Sequence, residues 1–375
     1  MSKLISSSRR NFLRLGLASG AAFAATHQAA KADATGPAIQ TSAKIVIIGA
    51  GAGGTALANR LVDRLDGAEI TLIDPRVDHL YQPGLSLVAA GLKPANYVVS
   101  KTTDWLPNGV TLLPEAAASI DPEAKRVETA SGQSVPYDFL VVAPGLVLDH
   151  DAIEGFSLDM VGENGIGALY AGPQYAAATW RAAQAFTENG GIGLFTRPET
   201  EMKCAGAPLK HTFLIEDITR TAGNRGKAEF HYAAPQSSLF GVPIVAEKVR
   251  MLFGDRGIST AMQHTLRSID AGTKRATFET PDGPAEMDYD YIHVIPPQRA
   301  PDVIRQSGLS WADKWTDQGW VECDMTSLQH LRYDTIWALG DVAGVPKGKT
   351  AASVKWQVPV VEDGLISAIL GRAPT

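Results

Sequence analysis

An apolar, β-branched run at residues 44–48 leads directly into the glycine-rich sequence GAGAGG at residues 49–54. Such a run followed by a turn is typical of a buried parallel strand. Residues 55–65 then place leucines at helical spacing, and a second apolar run at residues 69–73 ends at Asp74. Strand, glycine turn, helix and strand in this order predict a βαβ unit and therefore an α/β fold.

The glycines have the spacing of a turn that binds a dinucleotide. Gly49 permits the tight turn, Gly51 lets the backbone approach a pyrophosphate, and Gly54 lets the helix pack on the strand. The first N–H groups of the helix and its positive dipole end would face the phosphates. Asp74 can accept hydrogen bonds from a ribose. We therefore predict a dinucleotide site; the alternative is a glycine-rich turn in an unrelated α/β protein.

Two later strand patterns end in residues that would extend this site. Residues 137–142 lead into the turn Ala143-Pro144-Gly145, and residues 335–339 lead into Gly340 and Asp341. A carboxylate at the second strand end can hold the ribityl hydroxyls of a flavin. Together with the first glycine motif, these segments resemble the flavoprotein disulfide reductase superfamily, which implies FAD at this site.

The same resemblance implies an α/β architecture of two Rossmann-like dinucleotide-binding domains, in which an inserted domain splits the FAD domain. We assign residues 42–151 to the first part of the FAD domain and residues 302–375 to its second part. Residues 152–301 are assigned to the inserted NAD-like domain.

The N-terminus has the features of an export signal. Residues 8–14 read SRRNFLR, a short weakly apolar stretch follows, and a small-x-small cleavage site lies at residues 32–34. The pattern predicts a twin-arginine signal peptide over residues 1–34 and a periplasmic protein exported in the folded state. The alternative is a chance arginine pair before an amphipathic helix. No segment is long and apolar enough to predict a transmembrane helix.

The predicted insert lacks a second glycine fingerprint, and the sequence EMKCAGAPLK at residues 201–210 follows the place where it would lie. This segment closely resembles the K-C-A-G-A-P motif of the sulfide:quinone oxidoreductase family, which is related to the flavoprotein of flavocytochrome c sulfide dehydrogenase. The resemblance runs from about residue 44 to residue 370. Further segments carry it in the same order: Tyr81-Gln82-Pro83, Ile295-Pro296-Pro297, Leu328-Gln329-His330 and Lys349-Thr350-Ala351-Ala352.

The family resemblance implies roles for the residues that match its motifs. Cys204 would lie against the flavin and take part in sulfur transfer; Lys203 and Lys210, which flank it, favour a thiolate. Lys349 and Thr350 begin a helix, predicted over residues 350–370, whose N-terminus would point at the flavin, so that Lys349 would stabilise the reduced, anionic form. The alternatives are a buried core thiol at Cys204 and a solvated surface lysine at Lys349.

The sequence departs from the family in three places. No cysteine follows Gly340 and Asp341, where the family has its second redox thiol, and Cys323 lies in a segment that is usually apolar. We interpret Cys323 as a packed strand residue, with a relocated redox partner of Cys204 as the alternative. No tethering cysteine lies near Tyr81, which implies non-covalent FAD. The sequence also lacks the long apolar C-terminal region of membrane-bound members, which makes quinone a less firm expectation than flavin.

These observations predict a periplasmic FAD-dependent oxidoreductase that oxidises sulfide or a related small sulfur compound and passes electrons to quinone or a periplasmic cytochrome. The alternatives are an NAD(P)H dehydrogenase of the same fold and a flavin- or sulfur-binding protein that has lost turnover. The formal charge of −6 argues against a nucleic-acid partner. The scattered histidines and two cysteines predict no metal site.

Overall fold

The computed structural model describes residues 38–346 and 348–374. The predicted signal peptide, residues 1–34, lies outside this range. Within the described residues, no helix has the length and apolar character needed to span a bilayer.

Strands and helices alternate along the chain in three consecutive parts. The first part contains β1 (Ile39–Gln40), β2 (Lys44–Ile48), α1 (Ala52–Arg64), β3 (Leu65–Asp66), β4 (Glu69–Ile73), β5 (Asp78–Leu80), α2 (Leu85–Val88), β6 (Val99–Lys101), β7 (Val110–Leu113), β8 (Ala117–Asp121), β9 (Arg126–Thr129), β10 (Ser134–Pro136), β11 (Phe139–Val142) and β12 (Val147–Leu148). The middle part contains β13 (Ile166–Gly167), α3 (Pro173–Asn189), β14 (Gly191–Thr196), α4 (Ala207–Thr221), β15 (Ala228–Ala234), α5 (Pro243–Asp255), β16 (Ile258–Met262), β17 (Thr265–Asp270), β18 (Arg275–Thr280), β19 (Gly283–Asp288), β20 (Tyr291–His293) and β21 (Gln298–Arg299). The last part contains α6 (Asp302–Gln306), β22 (Ile336–Ala338) and α7 (Ala351–Ile369).

The predicted βαβ unit lies at the centre of a five-stranded parallel sheet with the order β22-β11-β2-β4-β7. The central strands are apolar along their whole length and almost completely buried, as expected when both faces of a parallel sheet are covered. Because β2, β11 and β22 are neighbours and parallel, their carboxyl ends meet at one sheet edge. Gly49, Ala143 and Gly340 therefore come together, although they are far apart in sequence.

A second five-stranded parallel sheet, with the order β13-β20-β14-β15-β16, forms from the middle of the chain. Its core includes aromatic side chains such as Phe186, Phe195, Phe230 and Tyr291. The two parallel sheets confirm the predicted α/β class. The two chain segments that connect the sheets pair with each other as β12 and β21. That pairing agrees with boundaries near residues 151 and 301, which stay a prediction.

Candidate active site

The glycine turn is built so that only part of it faces open space. Gly49 has a φ of +101°, and a side chain there would place its Cβ 2.3 Å from the carbonyl oxygen of Ala143. A Cβ on Gly54 would lie 1.9 Å from the carbonyl oxygen of Gly49. A Cβ on Gly51 would meet nothing closer than the guanidinium of Arg76 at 3.6 Å. Gly49 and Gly54 are thus required by the fold, and Gly51 leaves room for a ligand.

Asp74 lies behind this turn and does not line the cavity that the turn borders. Its carboxylate is buried and accepts hydrogen bonds from the N–H of Ala50 at 2.7 Å and from the guanidinium of Arg76 at 2.6 and 2.9 Å. Burial acts to raise the pKa of Asp74, but hydrogen bonds and charge from Arg76 outweigh it, so the pKa is lowered. Arg76, which sequence reasoning missed, presents the charge at the cavity wall; a basic residue two positions after the acid is the signal that identifies it.

A cavity of about 480 Å³ opens at this edge of the first sheet, within the range of small-molecule sites. It gathers most of the residues predicted from sequence. Those that line it are Gly51, Ala143, Gly145, Cys204, Gly340, Asp341, Lys349 and Thr350, together with Lys203 and Lys210 beside the cysteine.

Cys204 lies in the connection between β14 and α4, and its backbone is in an unusual conformation. Its φ is +52°, a left-handed value that non-glycine residues seldom adopt. Its N–H donates to the carbonyl oxygen of Lys349 at 2.6 Å. Its carbonyl oxygen accepts hydrogen bonds from the hydroxyl of Tyr170 at 3.0 Å and from the N–H of Ala207 at 2.7 Å. The thiol is free and half-buried, so the interpretation as a fully buried core cysteine is wrong.

Lys349 is buried, with 4% of its surface exposed, so the interpretation as a solvated surface lysine is also wrong. Its Nζ donates to the carbonyl oxygens of Asp341 at 2.6 Å and Ala343 at 3.0 Å. The same atom lies 3.8 Å from the centroid of the Trp320 ring. Burial lowers the pKa of Lys349 to about 8, although the carboxylate of Asp341 acts in the opposite direction.

Charges of both signs surround the cavity, with an excess of positive groups. Burial lowers the pKa of Lys203 to about 8, against the opposing influence of Asp341. Burial also raises the pKa of Asp341, while Lys203 and Lys349 act to lower it. Lys203, Lys349 and Arg76 therefore surround one buried carboxylate, an arrangement suited to a ligand that carries negative charge.

The helix that begins at this site is capped as its sequence predicts. The sequence predicts a helix over residues 350–370, and α7 spans Ala351–Ile369. Thr350 is its N-cap, and its Oγ1 accepts a hydrogen bond from the N–H of Ser353 at 3.0 Å. The first residues of the helix line the cavity, so its unpaired N–H groups and positive dipole end face the ligand space.

Cys323 does not line this cavity. It is 2% exposed and forms an isolated bridge with His330. Burial raises the pKa of its thiol to about 11. Both cysteines are free thiols in the structure, and these features agree with a packed strand residue at Cys323.

The second parallel sheet has no glycine turn where β14 ends. The glycine run at residues 190–193 enters β14 rather than following it, and Arg197 and Pro198 come directly after the strand. The connection to α4 is instead the segment that carries Cys204. Within residues 38–346 and 348–374, no three His, Cys, Asp or Glu side chains lie close enough together to hold a metal ion.

Comparisons with known proteins bear on this arrangement. The pyridine nucleotide-disulphide oxidoreductase family matches residues 43–169. The mitochondrial sulfide:quinone oxidoreductase of Mus musculus is 32% identical over 338 residues, which cover 88% of this chain and 72% of that protein. Its counterpart from Dictyostelium discoideum is 34% identical over 329 residues, covering 88% and 71%. The chain belongs to the sulfide:quinone oxidoreductase family.

Membership of this family confirms the predicted enzyme class, an FAD-dependent oxidoreductase. A solved structure agrees on the fold: the sulfide:quinone oxidoreductase of Aquifex aeolicus superposes with a TM-score of 0.75 at 22% identity, covering 88% of this chain and 77% of that one. The roles assigned to Cys204, Lys349 and the cofactor-binding residues stay predictions.

Proposed function

We propose that this protein uses non-covalently bound FAD to oxidise sulfide, or a related small sulfur compound, and passes the electrons to quinone or a periplasmic cytochrome. The observation that carries the proposal is that the Cys204 loop and the glycine turn border the same cavity. Family relatives named sulfide:quinone oxidoreductase support the sulfur donor and the quinone.

The residues around the cavity fit FAD. The open space over Gly51 and the N–H groups at the start of α1 suit a pyrophosphate, and Arg76 adds positive charge there. Asp341 would hold the ribityl hydroxyls, and the N-terminus of α7 would face the isoalloxazine ring. FAD bound in this way supplies a two-electron acceptor for the oxidation of sulfur. No cysteine lies in the Tyr81-Gln82-Pro83 segment that borders the cavity, so the cofactor would be non-covalent.

Lys349 would act through position and charge. Its ammonium is held by main-chain carbonyls and is directed at Trp320, so it stabilises the turn between Gly340–Asp341 and α7. The positive charge near the start of α7 favours an anionic ligand there. Lys349 therefore supports the reduced cofactor through the local field and does not need to contact it.

Cys204 is the residue we propose as the sulfur carrier. Joining the sulfur of HS⁻ to the thiol sulfur of Cys204 forms one S–S bond and releases two electrons and the two sulfur-bound protons. The electrons are those that the cofactor takes up. A small thiol, or a second sulfide, then removes the outer sulfur and restores the Cys204 thiol.

An anaerobic titration of the FAD-loaded protein with sulfide, followed by flavin absorbance, tests the proposal. We expect stoichiometric bleaching by sulfide, then reoxidation by a short-chain ubiquinone or by cytochrome c, whichever is the acceptor. Fast bleaching by NADH would instead support the NAD(P)H dehydrogenase. The absence of a glycine phosphate turn between β14 and α4 argues against that rival.

A binding protein without turnover is the second candidate, and one observation favours it: of the two cysteines in the sequence, Cys204 alone borders the cavity. The same titration separates the two, because a binding protein would keep its flavin oxidised at saturating sulfide. For location, we propose export by the twin-arginine route on the strength of the N-terminal sequence. The Mus musculus and Dictyostelium discoideum relatives are mitochondrial proteins, so a fractionation experiment is needed.

A further inference from the structure

The hydroxyl of Tyr170 and the side-chain amide of Gln298 hold the Cys204 segment from two sides. Tyr170 lies before α3 and donates to the carbonyl oxygen of Cys204 at 3.0 Å. Gln298 lies on β21, and its Oε1 accepts from the N–H of Lys203 at 2.8 Å. Tyr170 is 8% exposed and Gln298 is 0% exposed, so water does not readily replace either partner.

These contacts act on the one backbone conformation in the segment that needs support. A left-handed conformation is unfavourable for a residue with a Cβ, and it persists only where the surroundings impose it. The N–H of Cys204 is fixed by Lys349, and its carbonyl oxygen is fixed by Tyr170 and Ala207. The segment just before Cys204 is fixed by Gln298 through the N–H of Lys203.

We propose that Tyr170 and Gln298 are positioning residues that keep the thiol of Cys204 in the cavity by imposing this left-handed backbone. The inference rests on the proposed role of Cys204 as sulfur carrier. Burial raises the pKa of Tyr170, so its hydroxyl keeps the proton that it donates. Without either partner the segment relaxes, and the thiol spends less time where sulfur transfer takes place.

The chain offers a matched control for the loss of a tyrosine hydroxyl. Tyr232 on β15 is 0% exposed, and its hydroxyl has no hydrogen-bond partner among the described residues. Tyr170→Phe and Tyr232→Phe therefore make the same chemical change in two buried places, of which one contacts the Cys204 segment. Gln298→Met is a second, independent probe, because methionine has a similar volume but no amide oxygen.

Two measurements on the FAD-loaded variants test the proposal. The first is the limiting rate of flavin reduction by sulfide, with the half-saturating sulfide concentration. The second is the rate at which iodoacetamide alkylates Cys204, followed by peptide mass spectrometry. In Tyr170→Phe and Gln298→Met we expect the limiting rate to fall about 10- to 100-fold, with little change in half-saturation. We expect alkylation to become several-fold faster, and Tyr232→Phe to behave as wild type in both.

The outcomes are distinguishable from failure of the proposed function. If Tyr170→Phe matches Tyr232→Phe in both measurements, the positioning role is wrong. If Tyr170→Phe does not fold or does not bind FAD, Gln298→Met decides, and wild-type behaviour there overturns the proposal. If Cys204→Ser still reduces its flavin with sulfide, the proposed function is wrong, while the alkylation rates still show whether the two residues hold the segment.

Discussion

The N–H of Cys204 donates a hydrogen bond to the carbonyl oxygen of Lys349 at 2.6 Å. This bond joins the connection that follows β14 to the residue that precedes the N-cap of α7. The thiol and the N-terminus of α7 are therefore fixed relative to each other by a main-chain contact that does not depend on side-chain identity. A sulfur atom carried on Cys204 and a cofactor ring at the end of α7 would share one rigid frame.

The glycine turn gives a prediction in which two neighbouring glycines behave differently. Gly54→Ala should destabilise the cofactor-free protein by about 3 kcal/mol or more, because the new Cβ would lie 1.9 Å from a main-chain oxygen. Gly51→Ala should change the stability by no more than about 1 kcal/mol but should lose FAD, because its Cβ enters the ligand space. Urea unfolding and the flavin content of the purified variants check this. Normal flavin content in Gly51→Ala would contradict the proposed pyrophosphate position.

The elements predicted from sequence are those that local patterns encode. The sequence predicts a strand at residues 44–48 and a helix after the glycines, and β2 and α1 occupy Lys44–Ile48 and Ala52–Arg64. The last helix is also found within one residue of its predicted ends. In each case apolar periodicity, a turn and a capping residue give the same answer over a short stretch.

The features that sequence did not predict depend on contacts between distant segments. The expected ribose ligand, Asp74, is occupied by Arg76 and by the turn itself. The left-handed Cys204 needs Tyr170 from another part of the chain. The buried ammonium of Lys349 needs two carbonyl groups and an indole ring. Such partners are set by tertiary packing, which one sequence pattern does not encode.

Lys349 gives a prediction about pH and stability in the cofactor-free protein. Its pKa is about 8 when folded, below the ordinary value of 10.5. Between these values the unfolded chain binds a proton that the folded chain has lost, so stability gains a contribution that increases with pH. Relative to Lys349→Met, wild type should gain up to about 3 kcal/mol between about pH 7.5 and pH 10.5. Urea unfolding across this range measures it, with Lys248→Met on α5 as the surface control. A constant difference would show that the lysine titrates as an exposed group in the folded protein.

The N-terminal sequence gives a prediction about location. Changing both Arg9 and Arg10 to lysine should leave the precursor in the cytoplasm of a host with an active twin-arginine pathway, because that pathway reads the arginine pair. Cell fractionation and immunoblotting check this, with the unchanged chain as the control. An undiminished periplasmic yield from the double variant would remove the support for export by this route.

The two cysteines give the last prediction. Cys204→Ser should abolish flavin reduction by sulfide while FAD stays bound, because a serine hydroxyl cannot form the S–S bond of a persulfide. Cys323→Ser should change turnover much less and should mainly alter packing, typically by about 0.5–3 kcal/mol of stability, since its thiol is buried and does not line the cavity. After one equivalent of sulfide, mass spectrometry of the wild type should find an added sulfur on the Cys204 peptide and no peptide pair linked through Cys323. Equal loss of activity in two folded variants would mean that the cysteines act as a pair, and a disulfide-linked peptide would identify the step at which they meet.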